Sequence, residues 1–360
     1  MNTTVFQPIP GRATAEAEER PAPIVGQYGL NAAIKLVAKQ RAELCCEKQT
    51  SVEADEVLIQ ATRSLISTGT EMICFNGAYD VGTHWDDWVK YPFSMGYLLA
   101  GRVADVGRGV NGFAVGDRVA TRRSHAKFAV AKAVDVVKIP DGVTDEQAAW
   151  MGLGKIVQVG VRAARHVMGD TVAVIGLGLL GQLAVQYVRL MGASQIIAID
   201  TATKRLEIAS QHGATTLLQM SAGEAKAEVL RLTGRGVDVA YDITGHPEAF
   251  GGALAMVKKQ GTVVLLGDAG SPSSQRLTSD LIQKGIKVVG AHDCHPPAYP
   301  AEHVRWSGRE MSELVLNYIA RGQLRVDDLI THRFKPDQCA EAYAMLNTHR
   351  ATAMGVMFEW

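Results

Sequence analysis

The chain has 360 residues and a mass of 38.7 kDa, of which 47% are hydrophobic and 21% charged. This composition is ordinary for a globular protein with more than one domain core. Basic and acidic residues balance at 37 each, which excludes a strong electrostatic attraction to nucleic acid or anionic lipid. The five cysteines are odd in number and show no CxxC spacing, which argues against a disulfide framework or a four-cysteine zinc site.

The N-terminal residues 1–30 are rich in Pro, Ala and Glu, and we interpret them as an extension that precedes the first strand. They contain no basic segment followed by an apolar one, as a secretory signal would have, and no run in the chain approaches the length of a membrane span. We therefore expect a cytoplasmic protein with a small-molecule substrate and with neither a membrane nor a nucleic-acid partner.

Short strand-like runs punctuated by glycine follow this extension, at residues 33–37, 56–61, 100–107 and 112–119. Runs of this kind, separated by regularly spaced turns, are typical of a small β-barrel. The first part of the chain is therefore predicted to be rich in β-structure.

The pattern changes at Thr171, where apolar runs of five or six residues begin to alternate with segments of helical period. This alternation indicates βαβ units and a doubly wound parallel sheet. The predicted strands are 171–175, 195–200, 215–218, 237–243, 261–266 and 286–290, followed by a helix at 312–320 and a last strand near 353–358. The predicted domains are the extension 1–30, a discontinuous catalytic domain of 31–155 with 291–360, and a nucleotide-binding domain of 156–290.

A GxGxxG turn at residues 176–181 lies between a predicted strand and a predicted helix at 182–191. Its glycines permit a tight turn, close approach of a pyrophosphate and close helix–strand packing, and the free N–H groups at the helix start bind phosphate. Asp200 ends the next strand about 20 residues later, where a carboxylate binds the adenosine ribose and repels a 2′-phosphate. NAD is therefore the expected cofactor, although Lys204 and Arg205 lie nearby.

Several blocks of sequence together resemble the medium-chain dehydrogenase/reductase superfamily: 96–107, 116–119, 176–200, 236–242 and 261–264. The resemblance covers nearly all of the chain after about residue 32 and implies an α/β protein with a β-rich, GroES-like catalytic domain and a Rossmann domain. It also implies that Arg205 contacts the adenosine ribose, and that a homodimer or homotetramer forms through the strand at 286–290. The candidate cofactor-binding residues are Gly176, Leu177, Gly178, Leu179, Leu180, Gly181, Asp200, Arg205, Thr244 and Gly267.

Three segments, 67–71, 96–101 and 152–155, resemble the zinc-ligand segments of the alcohol and polyol dehydrogenases in that superfamily. The resemblance places Cys, His followed by Glu, and Cys or Asp at positions where this chain has Thr68, Tyr97 followed by Leu98, and Leu153. None of these residues is a good zinc ligand. The cysteine cluster of the structural zinc lobe is missing as well, so we predict a zinc-independent protein with no metal site.

One further run, 292–295, is dense in metal-ligand residue types. Adjacent residues in an extended segment point in different directions, which makes a tetrahedral set from this run alone awkward. We interpret it as pocket lining or a structural loop.

Without zinc, a side chain must stabilise the substrate oxygen or exchange a proton with it. By resemblance, Thr70 matches the residue that bonds the substrate oxygen in zinc-dependent relatives. Tyr97 and Lys155 lie at or beside former ligand positions, and an ammonium group near a phenol can stabilise its phenolate. His84 is a fourth candidate because its ordinary pKa lies near working pH. A turn threonine, an aromatic filler, a solvated lysine and a surface-loop histidine are the alternative interpretations.

Three residues are candidates for substrate binding. The resemblance places Trp85 in a substrate-facing loop, where its ring could pack on a sugar face, and places His292 and Asp293 near the nicotinamide end of the cleft. The leading hypothesis is an NAD-dependent oxidoreductase that interconverts a secondary hydroxyl and a ketone on a polar, sugar-like substrate without zinc. The alternatives are a double-bond reductase of the enoyl or quinone type and a non-catalytic dinucleotide-binding protein.

Overall fold

The computed structural model of the protein describes residues 29–294, 296–297 and 306–360. Nearly all of the predicted N-terminal extension, together with His295, lies outside the described residues. Within the described ranges, no helix combines the length and the apolar character that crossing a membrane requires.

The bounds of the strands and helices are as follows. The strands are β1 Leu30–Ala38, β2 Arg41–Lys48, β3 Glu56–Leu65, β4 Phe93–Ser94, β5 Leu99–Val106, β6 Arg118–Thr121, β7 Phe128–Lys132, β8 Val136–Lys138, β9 Thr171–Ile175, β10 Gln195–Asp200, β11 Thr216–Gln219, β12 Val237–Asp242, β13 Val257–Leu265, β14 Lys287–Gly290, β15 Ile330–Phe334 and β16 Gly355–Glu359. The α-helices are α1 Thr70–Asn76, α2 His84–Trp88, α3 Asp145–Ala148, α4 Met151–Ala164, α5 Leu179–Leu190, α6 Thr203–His212, α7 Ala222–Thr233, α8 Pro247–Met256, α9 Asp280–Lys284, α10 Gly308–Ala320 and α11 Cys339–Thr348. Short 3₁₀ helices are formed by Ala133–Asp135, Pro272–Ser274, Asp327–Leu329 and Pro336–Gln338.

Six parallel strands form one sheet in the order β11-β10-β9-β12-β13-β14. Counted from β9, the order is 3-2-1-4-5-6, which is that of a doubly wound dinucleotide-binding fold. The strand sequences are continuous apolar runs because helices cover both faces of such a sheet; in β9, for example, Val172, Ala173 and Val174 are fully buried. The strand order reverses between β9 and β12, and ligands bind beside the carboxyl ends of the strands at this point in open α/β sheets.

The remaining strands form a seven-stranded sheet and a smaller sheet of β2, β1 and β4. The C-terminal strand β16 pairs antiparallel with β3, so that Met357 lies opposite Leu65. This pairing joins β16, near the C-terminus, to a strand from the first part of the chain in one sheet. The exact domain boundaries stay a prediction; α4 spans the first of them and carries Lys155.

Most predicted strands are present, but the run predicted at 112–119 was wrong for its first six residues. Residues 114–117 form a turn in which the amide of Asp117 donates to the carbonyl oxygen of Ala114 at 3.1 Å, and only the end of the run enters β6. Both helices named from sequence begin earlier than predicted. Helix α10 begins at Gly308 because Ser307 caps it, with its hydroxyl accepting from the amide of Glu310.

Candidate active site

A cleft of about 1130 Å³ lies at the carboxyl ends of β9, β10, β12 and β13. Its lining comes from the glycine turn after β9, from the segment 67–73 that leads into α1, and from residues 291–293 after β14. The cleft therefore brings together the predicted cofactor turn and the segments that resemble the zinc-ligand blocks.

The glycine turn presents backbone amides to this cleft. Gly178 is the N-cap of the 12-residue helix α5 and makes no side-chain cap, and a Cβ added to it would meet no atom within 4 Å. A Cβ on Gly181 would instead lie 2.0 Å from the carbonyl oxygen of Gly176. Gly178 thus leaves open space at a helix N-terminus, where phosphate binds, whereas Gly181 permits the turn to pack on itself.

Asp200 hydrogen-bonds the backbone of this turn and also lines the cleft. Its carboxylate accepts hydrogen bonds from the amide of Leu177 at 2.7 Å and from the amide of Ala202 at 2.8 Å. Arg205 lies 3.7 Å from the same carboxylate and donates to the carbonyl oxygen of Arg350. Burial and the positive charge of Arg205 lower the pKa of Arg350, which lines this end of the cleft.

The other cofactor candidates lie where the parallel strands end. Thr244 follows β12 and its hydroxyl donates to the carboxylate of Asp242 at 2.7 Å, and Gly267 follows β13. Every predicted cofactor residue lines the cleft except Leu177, which is fully buried beneath the turn, and Gly181. A helix N-terminus without a side-chain cap, beside the Asp200 carboxylate, fits a dinucleotide.

Tyr97 carries the polar group that lies closest to the segment 67–70. Its hydroxyl lies 2.5 Å from Oγ of Ser67 and 3.4 Å from Oγ1 of Thr70. Burial raises the pKa of Tyr97 from its usual value, and the two hydrogen bonds and the charge of Arg122 oppose this rise without cancelling it. The phenol therefore holds its proton at neutral pH and can donate a hydrogen bond to a ligand oxygen.

A group of charged side chains lies beside Tyr97. The guanidinium of Arg122 lies 4.8 Å from the centre of the Tyr97 ring and forms an ion pair with Asp293. The ammonium of Lys155 lies 4.0 Å from the same carboxylate, and burial followed by the charge of Arg122 lowers the pKa of Lys155. The cation over the phenol ring is therefore Arg122, whereas the sequence analysis offered Lys155 as the nearby cation for the phenolate.

The loop around α2 closes the cleft on one side. His84, the first residue of α2, places Nε2 2.9 Å from the carboxylate of Asp268 and is mostly exposed. Trp85 borders the cleft but is only 2% exposed and packs in a hydrophobic core, so the prediction that its ring faces a substrate was wrong. The exposed ring at this side of the cleft is that of Trp88. The indole N–H of Trp85 has no hydrogen-bond partner among the described residues. His292 lies at the cleft rim with Nδ1 2.9 Å from Sγ of Cys294.

The residues at the former zinc-ligand positions do not fit a catalytic zinc ion. Leu98 and Leu153 are each 1% exposed and belong to the main hydrophobic core, and their hydrocarbon side chains offer no lone pair. Thr68 lines the cleft, but a neutral hydroxyl is a weak ligand beside the thiolate and imidazole that zinc prefers. In the part of the chain that the structure describes, no group of three His, Cys, Asp or Glu residues is placed to hold a metal.

Sequence reasoning missed two residues that contact Tyr97. Ser67 lies within a block that had been singled out, but only Thr70 was chosen from it. Arg122 directly follows β6, and the pairing of Thr121 with Leu99 in β5 brings it beside Tyr97. No local pattern signals this contact, because it depends on the register of two strands.

Two family models match the chain. One is described as an alcohol dehydrogenase GroES-like domain and matches residues 53–149, and the other as a zinc-binding dehydrogenase and matches residues 180–307. Together they confirm the predicted fold class, a GroES-like β-rich domain combined with a Rossmann domain.

Three similar proteins match over nearly the full chain. D-guloside 3-dehydrogenase of Shigella flexneri is 28% identical over 352 residues, covering 90% of this chain and 99% of the relative. L-threonine 3-dehydrogenase of Paraburkholderia xenovorans is 27% identical over 337 residues, covering 83% and 90% respectively. The crystal structure of 2R,3R-butanediol dehydrogenase from Bacillus subtilis superposes with a TM-score of 0.76 at 20% identity, covering 92% of this chain and 99% of that chain.

Proposed function

The chain is an oxidoreductase of the medium-chain dehydrogenase/reductase superfamily, and from that premise we propose that it interconverts a secondary hydroxyl and a ketone on a polar, sugar-like substrate with NAD(H) and without zinc. The observation that carries this proposal is the position of the Tyr97 hydroxyl. It lies in the cleft against Ser67 and Thr70, and Tyr97 stands where the resemblance places a histidine ligand of zinc.

Tyr97 is the proposed proton donor in ketone reduction. When bound, the nicotinamide supplies a hydride to the carbonyl carbon or accepts one from the alcohol carbon. As the carbonyl oxygen gains negative charge, the Tyr97 hydroxyl transfers its proton to that oxygen, so that a neutral alcohol forms. Arg122 lies over the ring and its positive charge stabilises the phenolate that remains.

Ser67 and Thr70 orient the phenol in this scheme. Both hydroxyl oxygens are placed to hydrogen-bond the Tyr97 oxygen, which restricts where its proton points and offers a path by which the phenolate regains a proton. Because the Tyr97 phenol supplies the proton in this scheme, no Lewis acid is required. This explains why Leu98 and Leu153 can occupy segments that resemble zinc-ligand segments.

Asp200 supports NAD(H) as the cofactor. Its carboxylate is held by two backbone amides at the ribose end of the cleft, and a fixed negative charge there repels a 2′-phosphate. The positive charges of Arg205 and Arg350 at the same end of the cleft reduce the size of this preference for NAD(H).

A polar substrate is supported by the groups around the cleft. His84, Asp268 and His292 offer hydrogen-bonding groups. The Trp88 ring lines the cleft and is 49% exposed, so it offers an apolar surface of the kind that packs on a sugar ring. The relatives are named for a guloside and for L-threonine, and the neighbouring structure for a butanediol; all three compounds contain secondary hydroxyl groups.

We also propose a homo-oligomer that forms through β14. This strand lies at the end of the six-stranded sheet and pairs only with β13 among the described strands. An open sheet edge is a ready site for pairing with a second copy.

The test is to follow NADH absorbance with purified, metal-analysed protein against sugars, glycosides, cyclitols, enones and quinones, with and without a chelator. We expect chelator-resistant turnover of a hydroxyl or ketone compound by protein that holds less than stoichiometric zinc. Turnover of enones or quinones alone would instead favour a double-bond reductase. Loss of activity in chelator, restored by zinc, would contradict the zinc-independent mechanism.

A further inference from the structure

A buried histidine joins the two segments that carry Tyr97 and Ser67. His125 is 0% exposed, and its Nε2 lies 3.1 Å from the carboxylate of Glu71 while Nδ1 lies 2.8 Å from Oγ of Ser64. Its backbone amide donates to the carbonyl oxygen of Met95 at 2.8 Å. His125 does not line the cleft, so it contacts the active site only through its neighbours.

The His125 ring sets the path of the backbone just before Tyr97. Gly96 has a φ of +85°, and a Cβ added to it would lie 2.5 Å from the imidazole ring. The backbone at Gly96 therefore rests directly against the ring, which limits where the Tyr97 phenol can lie.

Glu71 sets the position of Ser67 from the other side. Its Oε1 accepts a hydrogen bond from the amide of Ser67 at 2.8 Å, and its Oε2 accepts one from the hydroxyl of Tyr343 at 2.5 Å. Glu71 is 2% exposed, and these donors together with His125 occupy its carboxylate. Ser67 is thus tied through its own backbone to the same buried pair that holds Gly96.

A buried ionisable pair of this kind is weak evidence for stability, since its desolvation offsets much of its attraction and a hydrophobic pair of similar volume is often as stable. A buried, hydrogen-bonded pair can hold two loops in one arrangement better than a hydrophobic pair can. The two loops linked here are those that provide the two ends of the hydrogen bond between Ser67 and Tyr97.

We propose that His125 and Glu71 are positioning residues that hold the Tyr97 hydroxyl against Ser67 and so set the geometry of proton transfer. The inference rests on the proposed function of Tyr97 for its catalytic consequence. Its structural content, the coupling of the His125–Glu71 pair to the surroundings of the Tyr97 hydroxyl, is independent of any substrate.

The first test reads the Tyr97 hydroxyl directly by NMR of protein labelled with ¹³C at the ζ carbon of tyrosine. The Tyr97 signal is assigned as the one lost in Tyr97→Phe. We expect this signal to move in His125→Asn, which is too short to reach Glu71, and to move less in His125→Gln, whose amide reaches the position of Nε2. An unchanged Tyr97 signal in His125→Asn would overturn the proposal.

A matched control is His166→Asn. His166 is also a histidine with a side chain only 2% exposed, and it hydrogen-bonds Asp170 and the hydroxyl of Tyr241 in β12. This variant should lower the thermal midpoint while leaving the Tyr97 signal in place. If it moves the Tyr97 signal as much as His125→Asn does, the effect is a general loosening and the proposal is wrong.

The second test is a double-mutant cycle on turnover of the best hydroxyl or ketone compound found in the substrate panel. A displacement of about 1 Å can cost on the order of 100-fold in rate, so we expect His125→Asn to lower kcat by roughly 10- to 100-fold with little change in KM. In a Tyr97→Phe background the same change should have almost no further effect, because both act on one step. Losses that multiply would overturn the proposal.

Two further outcomes are distinguishable. If Tyr97→Phe keeps full activity while the NMR signal still responds to His125→Asn, the proposed proton donor is wrong and the positioning link stands. If His125→Asn fails to fold, Glu71→Gln carries both tests, because its amide keeps the shape of the side chain but cannot accept from Ser67 and Tyr343 with both atoms.

Discussion

The hydroxyl oxygen of Tyr97 lies 2.5 Å from Oγ of Ser67. Tyr97 is also the residue that stands where the resemblance would place a histidine ligand of zinc. A phenol held in this way can replace one part of what a zinc ion does, since it donates a proton to the substrate oxygen instead of stabilising an alkoxide. The guanidinium of Arg122 lies over the ring, and its positive charge can stabilise the negative charge of the phenolate that remains.

The first prediction concerns the loss of this hydroxyl. Tyr97→Phe should lower kcat for ketone reduction by about 100-fold or more, the usual effect of removing a general acid. KM and the Kd for NADH should change little, because the ring still fills its place. Steady-state kinetics and a fluorescence titration with NADH measure these quantities.

Thr70→Val is the comparison for that variant, since Oγ1 of Thr70 lies 3.4 Å from the Tyr97 oxygen and should matter less. If Thr70→Val costs more activity than Tyr97→Phe, the proton donor is Thr70 and the assignment of Tyr97 is refuted.

The second prediction concerns pH. Burial raises the pKa of Tyr97 above its usual value near 10, so the phenol stays protonated between about pH 6 and 10. Reduction needs the protonated form and should be insensitive to Tyr97 ionisation in that range. Oxidation needs the phenolate, so its kcat/KM should rise by about tenfold per pH unit without reaching a plateau below pH 10.

A variant of Arg122 tests whether this pH profile reports the ionisation of Tyr97. Its positive charge lowers the pKa of Tyr97, so Arg122→Gln should raise that pKa further and shift the oxidation profile to higher pH. A shift to lower pH would show that the titrating group is not Tyr97.

The sequence predicted the parts of this protein that depend on local patterns. Apolar runs and the glycine turn gave the strands β9 to β14 and the position of Gly178, because strand burial and helix N-termini leave a signal within a few residues. The strand predicted at 112–119 failed because its alternating residues lie mostly in a turn that Asp117 closes.

The contacts of Tyr97 could not be predicted, because they depend on residues that are distant from it in the sequence. Arg122 reaches the ring through the pairing of Thr121 with Leu99, and His125 reaches Glu71 across 54 residues of chain. Strand register and loop packing determine these contacts, and no short pattern in a single sequence indicates either of them.

The third prediction concerns cofactor choice. We expect NADH to bind more tightly than NADPH because the Asp200 carboxylate lies at the ribose end of the cleft. Asp200→Asn keeps an oxygen acceptor but removes the charge, and should narrow the ratio of the two Kd values by about tenfold, or about 1.4 kcal/mol.

Arg350→Gln should have the opposite effect. Arg350 shares this end of the cleft with Arg205, and burial together with the positive charge of Arg205 lowers the pKa of Arg350. Removing the positive charge of Arg350 should raise the ratio of the Kd for NADPH to the Kd for NADH. Tighter binding of NADPH than of NADH by the unaltered protein would contradict NAD(H) as the cofactor.

The last prediction separates the roles of two glycines in the turn. A Cβ on Gly178 meets no protein atom within 4 Å, and its φ of −69° suits any residue. Gly178→Ala should therefore leave the free energy of unfolding unchanged or raise it by up to about 1 kcal/mol. The added methyl group occupies the space proposed for the pyrophosphate, so the Kd for NADH should rise by about tenfold or more.

Gly181→Ala should show the reverse pattern, because its Cβ would lie 2.0 Å from the carbonyl oxygen of Gly176. Relieving that overlap requires the turn to shift, which should lower the free energy of unfolding by about 1–3 kcal/mol. Urea denaturation with and without NADH measures both variants. If Gly178→Ala binds NADH as tightly as the unaltered protein, the pyrophosphate does not approach the backbone at Gly178, and the cofactor must lie elsewhere in the cleft.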